Sequence, residues 1–132
     1  MNSNNNWFEF KEDGWRARRR EPRVSLNKGR QFRLNQKALD LIGSPTAVRF
    51  LFDVQLSRIG IRAVDPEESH SFAVRKERGF TSSVAGALFC DSLGIRPEHT
   101  IEFQSVRTDD EGTLLLDLTT AKRRVTSYGG GK

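Results

Sequence analysis

Cysteine is nearly absent: Cys90 is the one such residue in the chain. An internal disulfide and a cysteine-rich zinc site are therefore excluded, and the usage suits a reducing compartment. No apolar run reaches the about 18 residues a membrane helix needs, and the first ten residues, MNSNNNWFEF, are polar and then mixed. Neither a membrane span nor a signal peptide is expected, and the cytoplasm is the expected location. Histidine is equally scarce. His70 lies in a polar connector and His99 in a helix-to-strand loop, each without a matched partner in sequence. GRQFRLNQ lacks the second glycine and the Lys-Ser/Thr of a phosphate-binding Walker loop. With no convergent set of catalytic groups, an enzyme is the least favoured class, and no cofactor or metal is implied.

What remains is an ordinary globular composition, 36% hydrophobic and 30% charged over 132 residues, enough for one domain with a modest core. The charge is unevenly placed. Residues 1–37 hold ten Lys/Arg against four Asp/Glu, whereas residues 38–132 hold twelve against thirteen. A positive block on a near-neutral body is the pattern of a polyanion-facing surface, the alternative being a solvated arm kept for solubility.

The pattern of apolar residues predicts short strands and two short helices. WFEFKEDGWRA alternates around Asp13-Gly14, a hairpin pair, and its Trp7, Phe8, Phe10 and Trp15 read better as cover for a barrel end than as a base-stacking platform. Val24 and Leu26, the turn 27–30, and Phe32 and Leu34 form a strand, turn and strand. Asn35 then caps a helix whose apolar face is Ala38, Leu39, Leu41 and Ile42, stopped by Gly43. AVRFLFDVQLSRIGIRAV reads as a hairpin. After the connector DPEESH the order recurs: FAVRKERGF as strand and glycine turn, SSVAGALFCDSLG as a serine-capped helix, and TIEFQSVRTDDEGTLLLDL as a hairpin with an acidic turn. Gly29 matches Gly79 at an offset of 50, Gly43 matches Gly94 at 51, and Ile59 and Ile61 match Leu114 and Leu116 at 55. An offset that grows only at loops is what a duplicated unit produces. The expected organisation is a basic arm over 1–22, a first unit over 23–65, a connector over 66–71, a second unit over 72–118 and a flexible tail over 119–132.

Strand, Gly-Arg turn, strand, short helix closing in LIG or LGI, then hairpin: this order resembles the SpoVT/AbrB and MazE-like swapped-hairpin domain. The likeness rests on Gly29-Arg30, Phe32 and Leu34, Gln36 to Gly43 and Val48 to Val64, and again on Gly79, Leu93-Gly94-Ile95 and Ile101 to Leu118. It implies a mainly β fold with two short helices (α+β), a swapped-hairpin or double-psi-like β-barrel. Two copies in one chain imply a pseudo-dimer completed by a single chain, with a homodimer as the other state. The family's strand-turn arginines contact DNA, so the resemblance implies double-stranded DNA as partner and a role in transcription regulation. The candidate contacts are Arg16, Arg18, Arg19 and Arg20 in the arm, Arg23, Lys28, Arg30, Arg33 and Lys37 in the first unit, and Arg75, Lys76 and Arg78 in the second. Arginine forks and lysines on a strand-turn-strand suit phosphates and guanine edges. Phe80 follows Gly79 where Arg30 follows Gly29, and the second helix start lacks counterparts of Arg33 and Lys37, so contact is expected mostly through the first unit. The barrel also serves toxin-antitoxin pairs, which makes an antitoxin-like protein or a structural interaction module with general polyanion binding the alternative. The tail here, TTAKRRVTSYGGGK, is short and basic rather than long and acidic. DDE at 109–111 reads as turn chemistry, and Cys90 as a buried thiol.

Overall fold

Alternation of apolar and polar side chains sets the strands, and a computed structural model describes their arrangement over residues 21–79 and 81–124. The first unit contains β1 (Val24–Leu26), β2 (Gln31–Asn35), α1 (Gln36–Leu41), β3 (Ala47–Asp53) and β4 (Arg58–Ala63). The stretch expected as the second contains β5 (Phe72–Ala73), β6 (Arg75–Lys76), β7 (Thr81–Ala85), α2 (Ala87–Leu93), β8 (Ile101–Glu102), β9 (Arg107–Thr108) and β10 (Leu114–Asp117), and β11 (Lys122–Arg123) follows it.

All pairings are antiparallel. One sheet runs β11-β8-β1-β2-β7-β6 and the other β5-β3-β4-β10-β9. Each sheet therefore mixes strands of both units. Among the described residues the chain crosses between them four times: through α1 from β2 to β3, at Val74 from β5 to β6, at 103–106 from β8 to β9 and at 118–121 from β10 to β11. The result is a mainly β fold with two helices whose sheets curl into a half-barrel.

Two registers have a common property. Along β2 and β7, Arg33 lies opposite Ser83, the residue 50 positions on; along β4 and β10, Gly60 lies opposite Leu115, 55 positions on. The local two-fold axis that any antiparallel pair has passes near Arg33 and Ser83 in one sheet and near Gly60 and Leu115 in the other. The helix ends agree. Ser44 N–H donates to the Leu39 carbonyl and Gly43 N–H to that of Asp40, while Ile95 N–H donates to the Cys90 carbonyl and Gly94 N–H to that of Asp91. Both are six-to-one and five-to-two closures around a left-handed glycine, φ 84° at Gly43 and 72° at Gly94.

The core lies between the curled sheets, with Leu26, Phe32, Leu34, Ile59, Ile61, Leu114 and Leu116 all wholly buried. Phe32, from the first unit, is its centre: its ring lies 5.1 Å from that of Phe50 and 6.5 Å from that of Phe103. Phe50 in turn stacks on Phe89 of α2 at 4.8 Å. Burying a side chain of this size is worth about 2–3 kcal/mol, so the aromatic cluster ties the units together.

Three features differ from the sequence reading. Ser82 and Ser83 are buried strand residues, because pairing with β2 claims their backbone; α2 starts later and has Gly86 as an N-cap with no side-chain hydrogen bond. The second hairpin is confined to β9 and β10, since Ile101 and Glu102 pair with β1 in the other sheet. Lys122 and Arg123, placed in the expected tail, pair with β8 as an edge strand. The expected hairpin at Asp13-Gly14 and its aromatics lie outside the described residues.

Candidate functional site

The outer side of the six-stranded sheet is a polar surface built from every second residue of its strands. Straight across it the partners are Lys122, Glu102, Ser25, Arg33, Ser83 and Arg75, one from each strand in order. Arg33 stands at the centre because Phe32 and Leu34 on either side point into the core. Its neighbours Ser25 and Ser83 are short and buried, so the guanidinium projects above them.

The cations on this surface fall into two groups. Arg23 is tied down: its Nη2 donates to both oxygens of Glu102, at 3.0 and 2.9 Å, and Arg124 reaches the same carboxylate at 3.3 Å. Arg30 is tied down too, by an ion pair with Asp91 of α2. Its φ of 62° closes the 27–30 turn, where Arg30 N–H donates to the Asn27 carbonyl at 2.8 Å and the Asn27 side chain accepts from Gln31 N–H at 2.9 Å. Asp91 and the turn thus both hold Arg30. Lys28, Arg33, Lys37, Arg75 and Arg78 are exposed and have no carboxylate partner among the described residues. Lys76 reaches the Gln36 side-chain oxygen at 3.4 Å.

The other sheet is the contrast. Arg49 pairs with Glu68 at 2.8 Å, Arg58 with Asp53 at 3.0 Å and Arg62 with Glu111 at 3.0 Å. Exposed pairs of this kind add little stability, but they cancel the local field. Among the described residues most of the uncompensated positive charge therefore belongs to the six-stranded sheet and the turns at its ends, Arg107 of β9 being the exception in the other sheet.

The proposed contacts Arg16, Arg18, Arg19 and Arg20 lie outside the described residues. The described chain begins at Glu21, whose carbonyl accepts from the Asn35 side chain at 2.7 Å, beside this same surface. Sequence reasoning missed Lys122, Arg123 and Arg124. The signal was the run AKRR, but its pairing with a strand 20 residues earlier has no local signature.

Other reactive groups are committed elsewhere. Asp109 accepts from the backbone N–H of Glu111 and of Thr113, each at 2.9 Å, and Glu111 takes Arg62. Cys90 is wholly buried, and burial pushes its thiol up to about 11, with Asp91 adding to the rise and Arg30 opposing it. His70 and His99 are exposed. Among the described residues no group of three or more His, Cys, Asp or Glu could hold a metal, and no helix is long and apolar enough to cross a membrane. Compared with protein-family models, curated proteins and solved structures, the chain matches none of them.

Proposed function

We propose that the chain is a double-stranded DNA-binding regulator of transcription, a duplicated swapped-hairpin barrel in which one chain supplies both units. The observation that carries the reading is Arg33: an exposed guanidinium with no carboxylate partner among the described residues, at the centre of a six-stranded sheet and at the crossing point of the two units. The mixed strand order of both sheets and the two matched registers support the duplication. Lys28, Lys37, Arg75, Lys76 and Arg78 surround this centre as phosphate contacts, and RARRR at 16–20, covalently adjacent to Glu21, extends them. Arg33 faces Ser83 rather than a second arginine, so the two halves of a bound site are read unequally. Arg23 and Arg30 are positioning residues in this reading, because each already holds a carboxylate of the other unit. A chain of this kind acts in the cytoplasm, as a monomeric pseudo-dimer.

Selection of bound duplexes from a random pool at moderate salt, using the full chain, tests the reading. One duplex family should emerge, with binding that falls about a thousandfold over a fourfold rise in salt if six or more phosphates are contacted. Arg33→Ala with Lys37→Ala should weaken the selected duplex at least tenfold more than random DNA. Equal loss for both, or no bound duplex at low salt, overturns it.

An antitoxin-like or structural protein-interaction barrel is the second reading. It is favoured by apolar side chains left in solvent: Val54 and Leu56 at the β3–β4 tip, 78% and 56% exposed, and Leu88 on α2, 76% exposed. Co-purification of a stoichiometric small partner that is lost with Val54→Ser and Leu56→Ser would favour it over the first.

A further inference from the structure

The two units place the same two residue types on the outer surface of the six-stranded sheet, in opposite order. In the first, Ser25 of β1 lies opposite Arg33 of β2; in the second, Arg75 of β6 lies opposite Ser83 of β7. The offset of 50 relates Ser25 to Arg75 and Arg33 to Ser83, so arginine and serine have exchanged strands between the units. The register of Arg33 with Ser83 joins both pairs into one line across four strands, Ser25, Arg33, Ser83, Arg75. Residues directly opposite one another on paired strands share a face, so all four stand on the outer side. Both serines are buried and both arginines are exposed.

The exchange sets the spacing of the arginines. Arginine on both β2 and β7 would put two guanidinium groups on neighbouring strands, about 5 Å apart at the backbone, where like charges repel. Arg33 and Arg75 instead stand two strands apart, about 10 Å at the backbone, with the short Ser83 between them. Ser83 Oγ is engaged, donating to Glu77 Oε2 at 2.7 Å. Neither arginine has a carboxylate partner among the described residues. On the other side of Arg33, also two strands away in the same line, stands Glu102. Its Oε1 accepts from Arg23, and its Oε2 accepts from Arg23 and Arg124. The line thus offers two open guanidinium forks from its centre toward β6, and an engaged carboxylate toward β8.

We infer that Arg33 and Arg75 are a pair of base readers, each forking the O6 and N7 of a guanine, and that the two guanines lie about three base-pair steps apart. The inference rests on the DNA reading and deepens it, since Arg75 moves from the phosphate contacts to the base edges. A single base pair spans the floor of the major groove, so two forks that both reach base edges are displaced along the groove rather than across it. The spacing of the two arginines matches three steps of about 3.4 Å. The buried serines leave both forks standing above the sheet. Glu102 repels phosphate at the place that mirrors Arg75, so the readout extends from Arg33 toward β6 and not toward β8.

The test takes the duplex family that the full chain selects from a random pool and measures affinity with each G·C pair changed in turn to A·T. The family should hold two guanines about three steps apart, on one strand or on opposite strands, and each change should weaken the unsubstituted chain about fivefold or more. With Arg75→Ala one of the two changes should cease to matter while the other keeps its effect, and with Arg33→Ala the roles should reverse. Both variants should keep the thermal midpoint, because both side chains are exposed. If Arg75→Ala is unstable, Arg75→Gln serves, with the preference at that one position moved from guanine to adenine. An equal loss on every duplex in the Arg75 variants makes the residue a phosphate contact and overturns the inference. So does a selected family without guanines at this spacing, and the DNA reading survives either result. No bound duplex at low salt overturns both together.

Discussion

The two units end their helices in the same way and begin them differently. Both α1 and α2 close on a left-handed glycine with identical hydrogen bonds 51 residues apart, yet α1 starts from the side chain of Asn35 and α2 from a bare glycine, Gly86. The reason is the space around the second start. A Cβ on Gly86 would lie 2.5 Å from Phe32 Cε2 and 3.1 Å from the Arg30 carbonyl oxygen, so the first unit's aromatic occupies the place a capping side chain would need. The Gly86 N–H donates to that same Arg30 carbonyl at 2.9 Å. The halves are thus not interchangeable: the first provides the ring, and the second provides the glycine that leaves room for it.

The sharpest way to break this comparison is at that contact. Gly86→Ala should destabilise by about 1–3 kcal/mol, the usual cost of overpacking, because Phe32 is wholly buried and has nowhere to move. Gly94→Ala meets nothing within 4 Å, and its φ of 72° should cost about 1 kcal/mol. Urea unfolding of both variants checks the order. A smaller loss for Gly86→Ala than for Gly94→Ala would mean that the ring is not fixed between the units.

A smaller effect is expected at the first helix start. Asn35 Oδ1 accepts from Ala38 N–H at 2.9 Å and from Arg23 N–H at 3.0 Å, and its amide donates to the Glu21 carbonyl. Asn35→Ala removes all three and should cost about 1 kcal/mol, a fall in thermal midpoint of about 4 °C. An unchanged midpoint would show that packing of Ala38 and Leu39 alone holds α1. The second unit supplies no equivalent variant, since its N-cap has no side chain to remove.

Much of this was legible in the sequence for local reasons. Alternation at Phe32 and Leu34, and at Ile59 and Ile61, reports a strand with one buried face, and a glycine after an apolar helix face reports a left-handed stop. The misread parts depend on distant partners. Ser82 and Ser83 suit a helix cap, and only pairing with β2, about 50 residues earlier, makes them strand. The break at 103–106 follows from the pairing with β1, whose ladder continues as far as Phe103 N–H donating to the Val24 carbonyl and so holds 101–103 in the six-stranded sheet. The same holds for the candidate surface. Arg23 and Arg30 looked equivalent to Arg33 in sequence, but their carboxylates lie 79 and 61 residues away. The positive block was visible, whereas the choice of which cations stay uncompensated required the fold.

The smallest effect separates the two hairpin tips. Asp53 accepts from Leu56 N–H at 3.1 Å and pairs with Arg58, whereas Asp109 accepts from Thr113 N–H and Glu111 N–H. Both carboxyls sit below their ordinary 3.8, Asp53 chiefly through the Leu56 N–H and then the Arg58 side chain, Asp109 chiefly through the Thr113 N–H. A carboxyl whose folded pKa is depressed stabilises the fold above its unfolded pKa and loses that contribution as pH falls through the folded value. Stability should therefore be flat in these groups from neutral pH to about 5 and decline below about 4. Asp53→Asn and Asp109→Asn should each make the acid decline shallower in urea midpoints measured against pH. Salt should distinguish them: about 0.5 M should reduce the Asp53 difference, because part of it is attraction to Arg58, and leave the Asp109 difference nearly intact, because backbone amides carry most of it. Equal salt sensitivity at the two tips would show that the charge of Arg58 is not what distinguishes the first hairpin from the second.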